Sequence, residues 1–556
     1  MFLLPFASFF YSPYFGLPLG SASGPTAFQS SAIAIILLIA LIVAAFKRKL
    51  EFSLQTLPYI ALPLVLMASI DRKLEFSTND ALHCFSMLAA SLLVFTQKET
   101  YNKWLSRSMV ICGTLHLSLQ LLGAAVNDME TAISSLFPME NEITFFYMLL
   151  IFCSVQVFLK DSPFWKKYSA TIAVLAFASI MAGETIYTRK LEIGPKHALG
   201  IWLGLACGIL FSAALYLWKK RGLPVKPGMS LAALVFLAWM LAPIITVKSG
   251  IFSDSTRSEA ITRLDNWRAA LNLVEEKPFG AGFGSYSAKI MQHWPTIEEA
   301  NFQVNNDVFT AAHNQYLQIL TETGWLGWLY YCALFAAPWL ISIFRYLKTG
   351  EPRFLFIAFM LASMLSVMEV SEAVSMFAFT QIIHWLFLLY CVKALLPFRS
   401  NPRSFMVPNF ARNLFFAILV PAICFLLYDR GRQLCSIHLT DPSNSKEFDM
   451  DYMSEALEIH PKNSVALWYV WQFQVRQLKL KDALRTLDRI EELSGHRLRV
   501  NNARAEIYFN MGNMKKACDA ARLYVVRFND NWTLNMKKVL RCADFTTPLS
   551  PSPKGR

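Results

Sequence analysis

Apolar stretches of near-membrane-spanning length recur along most of this chain, and nothing else in the sequence limits its fold so strongly. They occupy residues 31–46, 54–71, 80–97, 107–125, 142–159, 169–184, 198–217, 229–246, 326–346, 354–370, 375–396 and 412–428. A bilayer core asks for about 20 consecutive apolar residues in a helix. Inside lipid every backbone N–H and C=O must be bonded within the chain, so unbroken runs mean helices. The composition agrees: 55% of the 556 residues are hydrophobic and 16% are charged, against about 25% charged in a typical soluble chain. The expected fold class is all-α, a polytopic membrane helical bundle of about 12–13 transmembrane helices, with a large extramembrane loop and a soluble helical-repeat tail. Residues 1–20 (MFLLPFASFFYSPYFGLPLG) are apolar but broken by Pro5, Pro13 and Pro18. They lack the basic start and small-residue cleavage site of a secretory signal, and read as a further, irregular membrane segment.

The net charge of +13 would point to nucleic acid in a soluble protein. Here Lys and Arg gather in short loops, around Lys47-Arg48-Lys49, Lys98/Lys103/Arg107, Lys160/Lys166/Lys167, Lys219-Lys220-Arg221, Arg345/Lys348/Arg353 and Arg399/Arg403/Arg412. They alternate with loops such as 126–141, which holds no Lys or Arg. By the positive-inside rule the basic loops are cytoplasmic, and no nucleic-acid partner is expected. Loop 247–325 and the tail after 428 then lie on the far side. Counting residues 1–20 as a thirteenth span puts the amino terminus inside. The organisation reads as an N-terminal bundle (1–246), a far-side loop (247–325), further spans (326–428), a soluble helical domain (429–545) and a Pro/Ser-rich disordered end (546–556). The ten cysteines show no metal-ligand spacing.

The tail carries a period. Ala483 and Ala517 are 34 residues apart, as are Ala456, Ile490 and Tyr524 in succession. "SEALEIHPKN" and "AEIYFNMGNMKKACDAA" resemble the end and the middle of a tetratricopeptide unit, a 34-residue helix-turn-helix repeat. Such repeats stack into a concave surface for a protein partner. Asp449-x-Asp451 at the start of this domain looks like a metal-binding acidic pair. With no strand around it, it reads as a solvated helix start.

Chemistry concentrates in the far-side loop. From Ile261 to Val274 apolar residues recur at helical spacing, and Pro278 ends that helix. Arg257, Arg263 and Arg268 lie on or beside it, and Arg263 shares a face with Trp267. Guanidinium groups match phosphate oxygens, so this helix is a candidate anion site. Then comes "PFGAGFGSY", with Gly280, Gly282 and Gly284. A helix precedes it and no Lys-Ser/Thr follows, which argues against a nucleotide-phosphate loop. A turn that lets backbone approach a ligand at the membrane surface stays open. A second basic far-side loop, 185–197, holds Arg189, Lys190 and Lys196, and Arg72-Lys73 lies in another. In "AAHNQYLQILTETGWLGW", His313 is placed in the first turn of a short helix that Gly324 stops. A neutral imidazole there can accept a proton.

His313-Asn314, nine residues, then Gly324-x-x-Gly327 resembles the signature of the bacterial O-antigen ligase and O-antigen polymerase superfamily, which includes protein O-oligosaccharyltransferases. Arg263-x-x-x-Trp267 and Pro278-x-Gly280-x-Gly282-x-Gly284 look like that superfamily's other shared elements, in the same order. The resemblance implies a bacterial inner-membrane glycosyltransferase with its site on the periplasmic face and the tail in the periplasm. The donor would be a glycan on undecaprenyl diphosphate, and the acceptor a hydroxyl of lipid A-core, of protein Ser/Thr or of another glycan. No metal or other cofactor is implied. His313 would be the base and Arg263 the catalytic cation. Arg189, Arg268, Trp267, Asn314, Gln315 and the three glycines would bind substrate, and the bundle would hold the lipid tail. Two readings from other classes compete. A transporter of lipid-linked glycan predicts charged residues within the spans and repeated halves, and Asp and Lys are nearly absent from the spans. A membrane-tethered scaffold leaves the ordered motifs of 260–327 without a role.

Overall fold

In a computed structural model of the protein the described residues are 23–47, 51–74, 77–96, 100–125, 140–190, 199–249, 258–293, 312–368, 378–395, 404–406, 409–440, 450–494 and 497–525. The membrane part is built from α1 (Ser23–Lys47), α2 (Leu57–Ser69), α3 (Ser77–Thr96), α4 (Thr100–Ala125), α5 (Glu140–Lys160), α6 (Pro163–Lys190), α7 (Leu199–Lys220) and α8 (Val225–Ser249), then α11 (Gln315–Thr349), α12 (Pro352–Met368), α13 (Ala378–Leu395) and α14 (Asn409–Leu439). Between the two groups lie the arginine helix α9 (Ser258–Glu276) and the one-turn α10 (Tyr286–Lys289). Each of the twelve apolar runs falls on one of these helices. Among the described residues, α3, α8, α11 and α14 contain segments long and apolar enough to cross a membrane, and five more apolar helices are shorter. The protein is an all-α integral membrane protein. Its outer surface is apolar where α8 and α14 expose Leu234, Ile418 and Phe425, while Trp339, Trp385 and Phe335 fill the interior. That inversion is what lipid contact asks of a bundle.

The basic end of the bundle is tied by its lysines. Lys219 Nζ donates to the Leu347 carbonyl at 2.6 Å, and Lys393 Nζ donates to the Val94 carbonyl at 2.6 Å. Both carbonyls sit in the last turn of a helix, where no intrahelical donor remains and the dipole favours a cation. Two details differ from the sequence reading. Glu51–Ser53 and Ser404–Met406 pair as antiparallel three-residue strands, a local tie that leaves the class unchanged. α6 continues to Lys190, so residues 185–190 are helix rather than loop. Residues 1–20 lie outside the described residues.

The tail comprises α15 (Met450–Ile459), α16 (Ser464–Arg476), α17 (Leu480–Ser494), α18 (Arg497–Asn510) and α19 (Met514–Val525). Its backbone bonding repeats at an offset of 34. The turn after α16 is closed by Gln477 N to Phe473 O, Leu478 N to Val475 O and Lys479 N to Gln474 O; the turn after α18 by Met511 N to Ile507 O, Gly512 N to Phe509 O and Asn513 N to Tyr508 O. The left-handed residue of one turn is Gly512 (φ 73°) and of the other Leu478 (φ 60°). The repeat-position residues Ala456, Ala483, Ala517 and Ile490 are all fully buried. Asn463 joins tail to bundle: it caps α16 by accepting from Ala466 N and donates to Ser436 Oγ at 2.8 Å. The tail also leans on the loops around the site. Lys462 Nζ donates to the Arg72 carbonyl, Lys73 pairs with Glu492 at 3.5 Å, and α18 packs against the turn Ile290–His293.

Leu478 is 80% exposed, so its side chain contributes little packing while its backbone carries the cost of a left-handed conformation, about 1 kcal/mol. Leu478→Gly is expected to stabilise the tail by roughly that amount, and Gly512→Ala to destabilise it similarly. Hydrogen exchange of the α16–α19 amides in the full-length protein measures both.

Candidate functional site

The site is organised by a break in α11. Gly324 has φ 70° and ψ −175° inside the helix, a conformation open to glycine and strained for other residues. A regular helix would bond the Trp325 N–H to the Thr321 carbonyl. Instead, Thr321 O accepts from Ala281 N at 2.8 Å, Glu322 O accepts from Gly282 N at 2.9 Å, and Trp325 N donates to Pro278 O at 3.1 Å. The glycine-rich turn therefore completes the broken helix, group for group. It can do so only at near-zero side-chain thickness. A Cβ on Gly280 would stand 2.5 Å from the Glu322 carbonyl oxygen, and one on Gly324 would stand 2.4 Å from Pro278 O. Gly282 lies against the Ser69 carbonyl and Gly284 against the Asp80 carboxylate. Protein, rather than open space, fills the direction each missing side chain would take.

The break folds the first arm of α11 back. Gln315 lies beside the Tyr331 hydroxyl, although in a straight helix residues that far apart are separated by about 24 Å. Asn314 is the N-cap, accepting from Leu317 N at 2.9 Å. Asn314 and Gln315 are both buried, so their side chains serve this arm directly. His313 precedes the cap, with φ 51°. It sits just outside the helix rather than in its first turn, and Gly324 bends the helix rather than ending it.

A circuit of hydrogen bonds joins the His-Asn turn to the arginine helix. Trp267 Nε1 donates to the Ala312 carbonyl at 2.9 Å. The Ala312 N–H donates to Gln318 Oε1 at 3.4 Å, and Gln318 Nε2 donates to Glu322 Oε1 at 3.3 Å. The Glu322 carboxyl also lies beside the backbone N–H groups of Gly284 and Tyr286. The Tyr286 hydroxyl closes the circuit, donating to Asn266 Oδ1 at 2.6 Å. Arg263 is half-buried one turn before Trp267 on α9. Arg268 pairs on its own helix with the buried Asp265 at 3.2 Å. Arg189 lies at the end of α6, its side chain outside the described residues, and Arg257 is outside them altogether. Gln318, Glu322, Tyr286 and Asn266 had no role in the sequence reading. For Gln318 and Glu322 the signal there was a pair of polar residues one turn apart on the helix.

Lys289 clamps the turn from below, donating to Ala281 O at 2.5 Å and to Asp71 Oδ2 at 3.0 Å. Burial acts to raise the Asp71 carboxyl, but hydrogen bonds from Lys289 and the Lys73 N–H, with the charges of both lysines, hold it below the usual range. A depressed carboxylate contributes stability above its unfolded pKa, lost as pH falls through the folded one. The clamp is thus complete at neutral pH and released only in acid.

Residues 197–332 match the family model for O-antigen ligase. No curated protein matches the chain, and no solved structure does. The match supports an O-antigen ligase/polymerase-type membrane protein. The ligase-matched segment spans α7 and α8, the arginine helix, the glycine turn, the His-Asn turn and the break at Gly324, so every member of the circuit lies within it. Asp71 and Asp80, which support the glycine turn, come from outside it.

Gly280→Ala and Gly324→Ala should each destabilise the protein by at least about 1–3 kcal/mol, the cost of strained backbone, seen as a lower thermal midpoint in detergent. Gly431→Ala is the control: nothing lies within 4 Å of its added Cβ, and a helical glycine gains up to about 1 kcal/mol on conversion to alanine.

Proposed function

We propose that the protein is a membrane glycosyltransferase that moves a glycan from undecaprenyl diphosphate to an acceptor hydroxyl on the periplasmic face of the bacterial inner membrane. The observation that carries this reading is the 2.9 Å bond from Trp267 to the carbonyl of Ala312. It fixes the residue next to His313 against the arginine helix, inside the segment that matches the ligase family. In the reaction the sugar C1–O bond to the diphosphate breaks and a C1–O bond to the acceptor forms. The acceptor proton passes to His313, and undecaprenyl diphosphate leaves. A diphosphate is a good leaving group, so fixed cations that stabilise its charge matter more than a general acid. Arg263 supplies that charge, with Arg268 and Arg189 as further cations on the donor's path. Trp267 orients the His turn. Gly280, Gly282 and Gly284 serve the substrate by shaping the turn beside it, Asn314 and Gln315 set the arm that presents His313, and the bundle holds the lipid tail. The reaction as written uses no metal or other cofactor.

The helical tail reads as a tetratricopeptide-like domain, supported by the 34-residue offset of its turn bonding. Its docking on the loop at Arg72-Lys73 and on the turn Ile290–His293 favours a protein Ser/Thr acceptor over lipid A-core or a growing polysaccharide.

Reconstitution with undecaprenyl-diphosphate glycan, followed by mass spectrometry of the products, tests the reaction. His313→Ala and Arg263→Ala should each lower transfer by about 100-fold or more, the scale of a lost acid–base group, with the protein still in the membrane. Full activity in both variants would sink the reading. Deleting 440–556 should spare transfer to a lipid acceptor and impair transfer to a protein. Equal transfer to both after deletion would remove the tail from acceptor choice.

A further inference from the structure

We infer that Glu322 is a positioning residue of the transfer reaction: its carboxyl group and its main-chain carbonyl together hold the His313 turn and the arginine helix in one fixed relation. The inference rests on the reading of His313 as base and Arg263 as catalytic cation. A buried side chain commonly steadies one neighbour. Glu322, 2% exposed, steadies two elements that meet nowhere else in the circuit except at Trp267. On one side it receives the Gln318 amide, and Gln318 receives the N–H of Ala312, the residue before His313. On the other side it lies beside the N–H groups of Gly284 and Tyr286, and Tyr286 reaches Asn266 on α9 through its hydroxyl. The backbone of Glu322 takes part as well, since its carbonyl accepts from Gly282. One residue thus bonds the glycine turn through its main chain and faces it with its side chain.

The Asp80 carboxylate lies where a side chain on Gly284 would stand. Removing the Glu322 carboxyl would take from the buried Gln318 amide its bond to it and leave the glycine turn facing no polar group there, and the turn would shift. A displacement of about 1 Å between a base and a bound donor is enough to cost roughly 100-fold in rate. Glu322 contacts no reacting atom in this account and acts only through the groups it holds.

Three variants in the reconstituted full-length protein test this, with kcat and donor KM measured separately. Glu322→Gln keeps an oxygen acceptor of the same reach and should retain kcat within about 5-fold. Glu322→Leu keeps the bulk without the acceptor and should lose about 100-fold in kcat at unchanged donor KM, the scale of a misplaced reacting group. Gln318→Leu cuts the circuit on the His313 side alone and should lose kcat in the same direction, with its thermal midpoint close to that of the parent. Full kcat in Glu322→Leu and Gln318→Leu would overturn the proposal. So would a Glu322→Gln variant as inactive as Glu322→Leu, because the carboxylate would then act by its charge or its proton. A loss that tracks a fall in thermal midpoint, with donor KM rising in step, would mark a structural role only and also overturn it. His313→Ala keeps the two ideas apart: its full activity removes the underlying reading, whereas an inactive His313→Ala beside a fully active Glu322→Leu removes this inference alone.

Discussion

The structure around the site depends on one exchange of backbone hydrogen bonds. At Gly324 a helix gives up its own ladder, and the turn 278–282 supplies the missing donors and acceptor. Buried backbone groups left unpaired would each cost several kcal/mol, so the break exists only because the turn matches it. The match in turn requires Gly280 and Gly324 to have no side chain where the two backbones touch. This one contact makes the glycine turn, the folded-back arm and the arginine helix into a single unit.

From that unit the chemistry inherits rigidity. His313 lies one residue beyond Ala312, whose carbonyl and N–H are both committed to the circuit, and two residues before the first helical residue of the arm. The arm is short, capped by Asn314 and pinned at both ends, so the imidazole is presented from a frame with little freedom. In the proposed reaction, a site built this way would lose little entropy in bringing a base toward a donor. The tail reaches the same frame from outside: α18 packs on the turn Ile290–His293, and Asn272 Nδ2 of the arginine helix donates to the His293 carbonyl at 3.1 Å. A partner held by the tail and a donor held by the arginine helix would thus share a mechanical support.

Much of this was legible in the sequence, and the exceptions have physical causes. The twelve apolar runs locate helices because lipid admits no other economical backbone state for them. The arginine helix and its end near Pro278 follow from helical periodicity, and the 34-residue spacing of Ala483 and Ala517 reappears in the bonding of the tail. The placement of His313 in a first helical turn missed by two residues, because Asn314 is the stronger cap. Gly324 reads as a stop in sequence, since a glycine that ends a helix and one that bends it look alike until the partner backbone is known. The three alternating glycines look like room for a ligand for the same reason. Leu478 could not be recognised as the counterpart of Gly512, because leucine carries no signal for a left-handed turn. Glu322 and Tyr286 were invisible as a pair because they meet only after the turn closes on the broken helix.

The central claim is that the broken arm and the arginine helix together form the donor site. Its most direct measurement is an experimental structure of the full-length protein in a lipid nanodisc with an undecaprenyl-diphosphate donor bound. The account predicts diphosphate density within hydrogen-bond reach of the Arg263 guanidinium, with the His313 imidazole facing the sugar carbon that bears it. Diphosphate density at the opposite, lysine-rich end of the bundle, with His313 and Arg263 contacting no part of the donor, would contradict it.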